Sequence, residues 1–232
     1  MSRLTGEVKV IGAGLLGTSI GLALRKLGLD VVISDASKAS QALAIDYGAG
    51  REPSPTDSPS LVIVCVPPDV TAELVAKAIG EYPTAVVTDV ASVKLPILNE
   101  LKALGVPLGN YVGSHPMAGR ERGGAISGRA DLFVGRPWVV VASSETSPNA
   151  VNLVTDLALD LQASPTAMDA LEHDHAVAPA ATRRRAAEGE REVSLQRVRP
   201  GDQVDPGPRR GSAAAEALPR GHGPRRADLR LI

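Results

Sequence analysis

Short runs of Val and Ile alternate with helix-length amphipathic stretches through the first 170 or so residues, and this alternation limits the fold more than any other feature of the chain. Apolar runs of about four to eight residues without polar alternation suit strands buried on both faces, joined by crossover helices in a parallel sheet. The pattern predicts strands at Glu7 to Ile11, Val31 to Ser34, Leu61 to Val66, Ala85 to Asp89, Tyr111 to Ser114 and Trp138 to Ala142. Between the first two, Leu16, Ile20, Ala23, Leu24 and Leu27 recur at helical spacing and Gly28 closes the stretch. Further helices are expected at Val70 to Ile79, Lys94 to Leu104 and Pro148 to Gln162. Right-handed crossovers would stack them on both faces, giving an α/β, doubly wound, mainly parallel sheet.

Gly12-Ala13-Gly14-Leu15-Leu16-Gly17 fits G-x-G-x-x-G directly after the first strand and opens the first helix, the placement of a Rossmann-type dinucleotide loop. Gly12 permits the tight turn, Gly14 removes a side chain that would block a pyrophosphate, and Gly17 lets helix and strand approach. Free amides at the helix start, around Leu15 and Leu16, would face the phosphates. A glycine-rich turn without a ligand is the bland alternative. Asp35 closes the second strand 18 residues past Gly17, where a carboxylate can accept from both ribose hydroxyls. Its charge opposes a 2′-phosphate and neither Ala36 nor Ser37 counters it, so NAD is expected over NADP, with Lys38 arguing the other way. Val66 and Pro67, after the third strand, would border the nicotinamide half, although prolines there also start helices. Cys65 reads as a small buried hydrophobe.

Composition removes other classes. One Cys excludes a disulfide framework and a Cys-based zinc site and fits a reducing compartment, with cytoplasm the default. One Phe, one Trp and three Tyr make a base-stacking surface improbable, and no apolar run approaches the roughly 20 residues a membrane span needs. His173, His175 and His222 form no metal-ligand set with neighbouring acids, so no metal is expected. Net charge is −6 up to Ala178 and +5 beyond it, where every basic residue is Arg.

The most specific signal is a pair of loops at later strand ends: Asp89-Val90-Ala91-Ser92-Val93-Lys94, then Gly113-Ser114-His115-Pro116-Met117-Ala118-Gly119, followed by Leu132-Phe133 and Pro137-Trp138. Their order resembles the prephenate dehydrogenase family, which includes arogenate dehydrogenases. The likeness runs from about residue 7 to Ala178 and ends on Leu171-Glu172-His173-Asp174, which resembles the start of the family's helical second domain. The resemblance implies NAD-linked oxidative decarboxylation of prephenate to 4-hydroxyphenylpyruvate in tyrosine biosynthesis. His115 matches the family's catalytic histidine, an imidazole able to accept the C4 hydroxyl proton near neutral pH. Ser92 matches a serine that orients histidine and nicotinamide, and Glu121 matches a position near the substrate pocket. Read alone, His115 could be a surface loop residue and Ser92 a helix-cap hydroxyl. Lys94 could suggest substrate binding, but at a helix start it reads as solvated. The whole interpretation requires His115 on the same sheet edge as the glycine loop.

Three segments follow: a dinucleotide-binding domain over 1–168, the start of a helical dimerisation and substrate domain over 169–178, and an Arg/Pro/Gly/Ala-rich stretch over 179–232. The last has no sustained periodicity and is expected to be disordered. A shift of reading frame at Ala178 would explain both the end of the likeness and the jump in composition. The expected partner is a small molecule, prephenate or arogenate, not nucleic acid or membrane; the family is homodimeric through the helical domain. Without that domain the chain is expected to bind NAD but turn over prephenate poorly. Arogenate dehydrogenase, a β-hydroxyacid or imine reductase and an inactive NAD-binding remnant are the alternatives.

Overall fold

The computed structural model describes residues 2–118 and 124–178. Glu121 and the segment 179–232, with the disorder expected of it, lie outside the described residues. Seven strands form one sheet in the order β2-β1-β3-β4-β5-β6-β7. They are β1 (Val8–Ile11), β2 (Val31–Ser34), β3 (Leu61–Val64), β4 (Val86–Asp89), β5 (Tyr111–Pro116), β6 (Pro137–Val141) and β7 (Ser164–Met168). The helices are α1 (Leu15–Lys26), α2 (Lys38–Asp46), α3 (Pro68–Glu81), α4 (Leu95–Ala103) and α5 (Pro148–Asp160), and residues 170–178 form a further helical segment, α6. No helix among the described residues is long and apolar enough to cross a membrane.

The first five strands are parallel, as the Val/Ile runs predict, while β6 runs antiparallel to β5 and β7 parallel to β6. The reversal follows from the connections. No α-helix lies in the described part of the β5–β6 link, only a 3-10 turn at Ala125–Ser127, whereas α5 provides the crossover that returns the chain parallel to β6. Alternate strand residues serve opposite faces. Val10, Ile33, Ile63, Val112 and Trp138 pack towards α1 and α5, and Val62, Val64, Val87 and Tyr111 pack with residues of α3 and α4. Trp138 and Phe133 meet edge to face at 5.2 Å, so the chain's single Trp and single Phe anchor the first of these layers.

Two elements lie outside the pattern of apolar runs. Helix α2 buries only Gln41 and Ala44, too few positions to show as an apolar stripe. Strand β7 is Ser-Pro-Thr-Ala-Met, largely exposed at the sheet edge, with no Val or Ile to mark it.

Candidate functional site: a nucleotide crevice and a buried histidine pair

Because β1 lies between β2 and β3, the connections around it diverge to opposite sides and leave a crevice at the C-terminal ends of β1 and β3. The glycine loop sits there. Gly12 adopts φ +107°, and a Cβ on it would lie 2.2 Å from the carbonyl oxygen of Cys65, so the two loops meet where only glycine fits. A Cβ on Gly17 would lie 1.9 Å from the Gly12 carbonyl oxygen, which accounts for the close seating of α1. At Gly14, the N-cap of α1, a Cβ would meet nothing within 4 Å. Leu15, Leu16 and Gly17 make the first turn, whose amides have no acceptor within the helix.

Asp35 reaches back to this loop. Its Oδ2 accepts the Ala13 amide at 2.6 Å and its Oδ1 the Ser37 amide at 2.7 Å, which leaves lone pairs on both oxygens for ribose hydroxyls. Val66 is half-buried and Pro67 is the exposed N-cap of α3, both on the loop facing Gly12. An open floor, unpaired amides and a carboxylate beside them suit a pyrophosphate and its adjoining ribose. Cys65 is partly buried against the core, and burial, reinforced by the charge of Asp89, pushes its thiol far above the usual range.

The histidine loop occupies the same edge. β4 pairs with β5 only as far as Asp89 and Gly113, so Ser114, His115 and Pro116 run past the end of β4 and pair with β6 alone. Three strand spacings of about 4.8 Å put His115 roughly 14 Å across the sheet from β1. His115 Nδ1 lies 2.9 Å from Nε2 of His173 on α6, with ring centroids 5.1 Å apart and planes at 77°. His173 is fully buried, and its Nδ1 lies 2.7 Å from Asp174 Oδ1.

Asp174 also accepts the amides of Lys94 and Leu95, each at 2.9 Å. These open α4, which has no side-chain cap from its N-cap residue, Lys94. Burial works against the Asp174 charge, but the bonds from His173 and the two amides outweigh it and hold the carboxyl below its ordinary range. Burial is the main cause that lowers His115 to about 4; His173 and Lys94 act in the same direction and Asp174 opposes them. His115 is therefore a neutral imidazole at pH 7.

Beneath the histidines lies a buried ion pair. Lys94 Nζ donates to Asp89 Oδ1 and to the Ser114 carbonyl, the latter at 2.8 Å. Tyr111 donates to Asp89 Oδ2 at 2.8 Å, the Ala91 amide to Oδ1 at 2.9 Å, and Ser114 Oγ to the Asp89 carbonyl at 2.7 Å. Burial lowers the pKa of Lys94 despite Asp89, and burial raises that of Tyr111, with the Asp89 charge adding to it. The expected solvated Lys94 is thus corrected: its side chain is 1% exposed. Gly113 makes the room, because a Cβ there would stand 3.2 Å from Lys94 Cδ.

Ser92 is exposed in the β4–α4 loop and makes no hydrogen bond with His115, whose Nδ1 is engaged by His173. Nor does Ser92 cap α4; Asp174 does so from α6. Sequence reasoning missed His173, Asp174 and Asp89 as parts of the site. The signal for His173 and Asp174 was their doublet, and that for Asp89 its place at the head of the Asp89–Lys94 segment; His115 and His173 are 58 positions apart and nothing in their spacing pairs them. Among the described residues, no group of three or more His, Cys, Asp or Glu is placed to hold a metal.

The model of the prephenate dehydrogenase nucleotide-binding domain matches residues 20–166, starting inside α1, so the glycine loop stands on its own geometry. NovF, a probable prephenate dehydrogenase of Streptomyces niveus, is 40% identical over 169 residues, 73% of this chain and 47% of that protein. The solved prephenate dehydrogenase from A. aeolicus, in complex with hydroxyphenyl propionate and NAD+, superposes with a TM-score of 0.70 at 25% identity, covering 76% of this chain and 64% of that one. Synechocystis arogenate dehydrogenase gives 0.68 at 27% identity, covering 75% and 63%. The chain spans about half the length of the curated relatives it matches, between 47% and 61%.

Proposed function

The chain belongs to the prephenate dehydrogenase family, and from that premise we propose that it binds NAD in the crevice and serves the oxidative decarboxylation of prephenate in the cytoplasm. Gly12, Gly14 and Gly17 with the first amides of α1 would hold the pyrophosphate, Asp35 the ribose, and Val66 and Pro67 would border the nicotinamide half. NAD, when bound, supplies the hydride acceptor. His115, neutral and on the same sheet edge, takes the proton of the ring hydroxyl; Ser92 on the adjoining loop orients the reacting groups. Loss of carbon dioxide and aromatisation then give 4-hydroxyphenylpyruvate. The observation that carries the reading is the tethering of His115 Nδ1 to a buried partner, which among the described residues leaves Nε2 as the ring nitrogen without a hydrogen bond.

Asp35 supports NAD over NADP, since its charge would face a 2′-phosphate. A second reading, arogenate as substrate, is favoured by the comparable likeness to the Synechocystis enzyme. The test is calorimetric titration of the full chain with NAD and NADP, followed by turnover of prephenate and arogenate in NADH absorbance. NAD is expected to bind at least tenfold tighter than NADP, and His115→Asn to cut turnover on the order of a hundredfold or more without changing NAD affinity. Absence of NAD binding, or full turnover by His115→Asn, would refute the reading.

A further inference from the structure

We propose that His173 and Asp174 form a buried proton relay behind His115: Asp174, seated on the first amides of α4, orients His173, and His173 sets the tautomer of His115 and receives its Nδ1 proton. The proposal rests on the reading of His115 as the base, but its geometry is independent of any ligand.

The direction of each hydrogen bond follows from counting donors. An ionised carboxylate only accepts, so His173 Nδ1, 2.7 Å from Asp174 Oδ1, carries a proton. A neutral His173 then has only a lone pair at Nε2, and the 2.9 Å contact forces His115 Nδ1 to be the donor. His115 Nε2 is left with a lone pair, the state a base needs. Among the described residues, His173 is the contact of His115 that selects this tautomer.

The same chain of bonds can carry charge. When His115 Nε2 accepts a proton from a substrate hydroxyl, the Nδ1 proton crosses to His173 Nε2. His115 ends neutral with its proton on Nε2, and His173 becomes an imidazolium that keeps its Nδ1–H on Asp174. One proton has moved from the hydroxyl oxygen to His173, and no oxidant is required for this step. The charged neighbours of the two rings differ. On β4 and the β4–α4 turn, Asp89 and Lys94 form the ion pair beneath His115, and on β5 Tyr111 is bonded to Asp89. Of these, the Lys94 cation disfavours a charge on His115. On α6, His173 faces the Asp174 carboxylate, which the two α4 amides hold in place. At a pKa of about 4, His115 holds a proton in only about one molecule per thousand at pH 7. A charge-bearing partner is what lets so poor a base work.

The test uses the full chain labelled with 15N-histidine and no cofactor, reading ring tautomers at pH 7 from long-range 1H–15N correlations of the four histidines. Both His115 and His173 are expected as Nδ1–H tautomers, the less common form. In His173→Phe, His115 should revert to Nε2–H. Finding His115 as the Nε2–H tautomer in the unaltered chain overturns the relay, whether or not any variant folds. So does an unchanged His115 tautomer in a folded His173→Phe. Failure of NAD binding or turnover would sink the functional reading and leave these spectra unchanged, so the two failures are separable.

Discussion

Replacing Lys94 with Met tests how far the buried ion pair depends on having both of its charges. The aliphatic stem is kept, so packing under Gly113 changes little, and the Lys94 backbone amide still donates to Asp174. What disappears is the ammonium. Asp89, with a side chain 0% exposed, would retain only the Ala91 amide and the Tyr111 hydroxyl, and the Ser114 carbonyl would lose its donor from Nζ. Breaking a buried pair by removing one partner costs about 3–5 kcal/mol, because the remaining charge stays desolvated. An exposed pair such as Arg129–Asp131 is worth about 0–1 kcal/mol. With a urea slope of about 2 kcal/mol/M, Lys94→Met should lower the unfolding midpoint by roughly 2 M. Trp138, fully buried and the chain's single Trp, reports unfolding by its fluorescence. The double variant Asp89→Asn with Lys94→Met should recover most of the loss, since neither charge then remains. A loss below about 1 kcal/mol for Lys94→Met, or a double variant no more stable than the single one, would refute the reasoning.

Two glycines of the same motif should behave differently. Gly12→Ala drives a Cβ into the Cys65 carbonyl at a backbone angle L-residues rarely adopt, and should lose on the order of 3 kcal/mol together with NAD binding. Gly14→Ala has open space and should weaken NAD binding while its urea midpoint stays near that of the unaltered chain. Stability should also depend on pH through His115. Its folded pKa, about 4, lies below the unfolded value near 6.5, so the unfolded chain binds more protons between them. Stability is full above pH 6.5 and falls towards pH 4, by up to about 3 kcal/mol for this group. Urea midpoints measured across that window should show the slope, and His115→Asn should flatten it.

The strands that bear the site were legible because each is a compact Val/Ile run, and the glycine loop because its spacing is tied to a strand end and a helix start. Helix α2 and strand β7 were not, since neither carries enough buried apolar residues to impose a period. The site divides in the same way. His115, Asp35 and the glycines announce themselves through local motifs, and the structure places them on one edge of the sheet. Lys94 misled because its side chain lies against Gly113 of β5 and pairs with Asp89 of β4, relations between neighbouring strands and a helix start that its own helix-start position does not show. Asp174 caps α4 from 79 and 80 positions away, where a helix-start rule looks only to the adjoining residues.

That cap separates two events in the life of the polypeptide. In the order of synthesis, all seven strands are encoded by Met168, while the anchor of α4 and the neighbour of His115 come later. Up to that point the imidazole lacks the neighbour that fixes its tautomer. A few more residues, carrying His173 and Asp174, finish the helix start and ready the imidazole together.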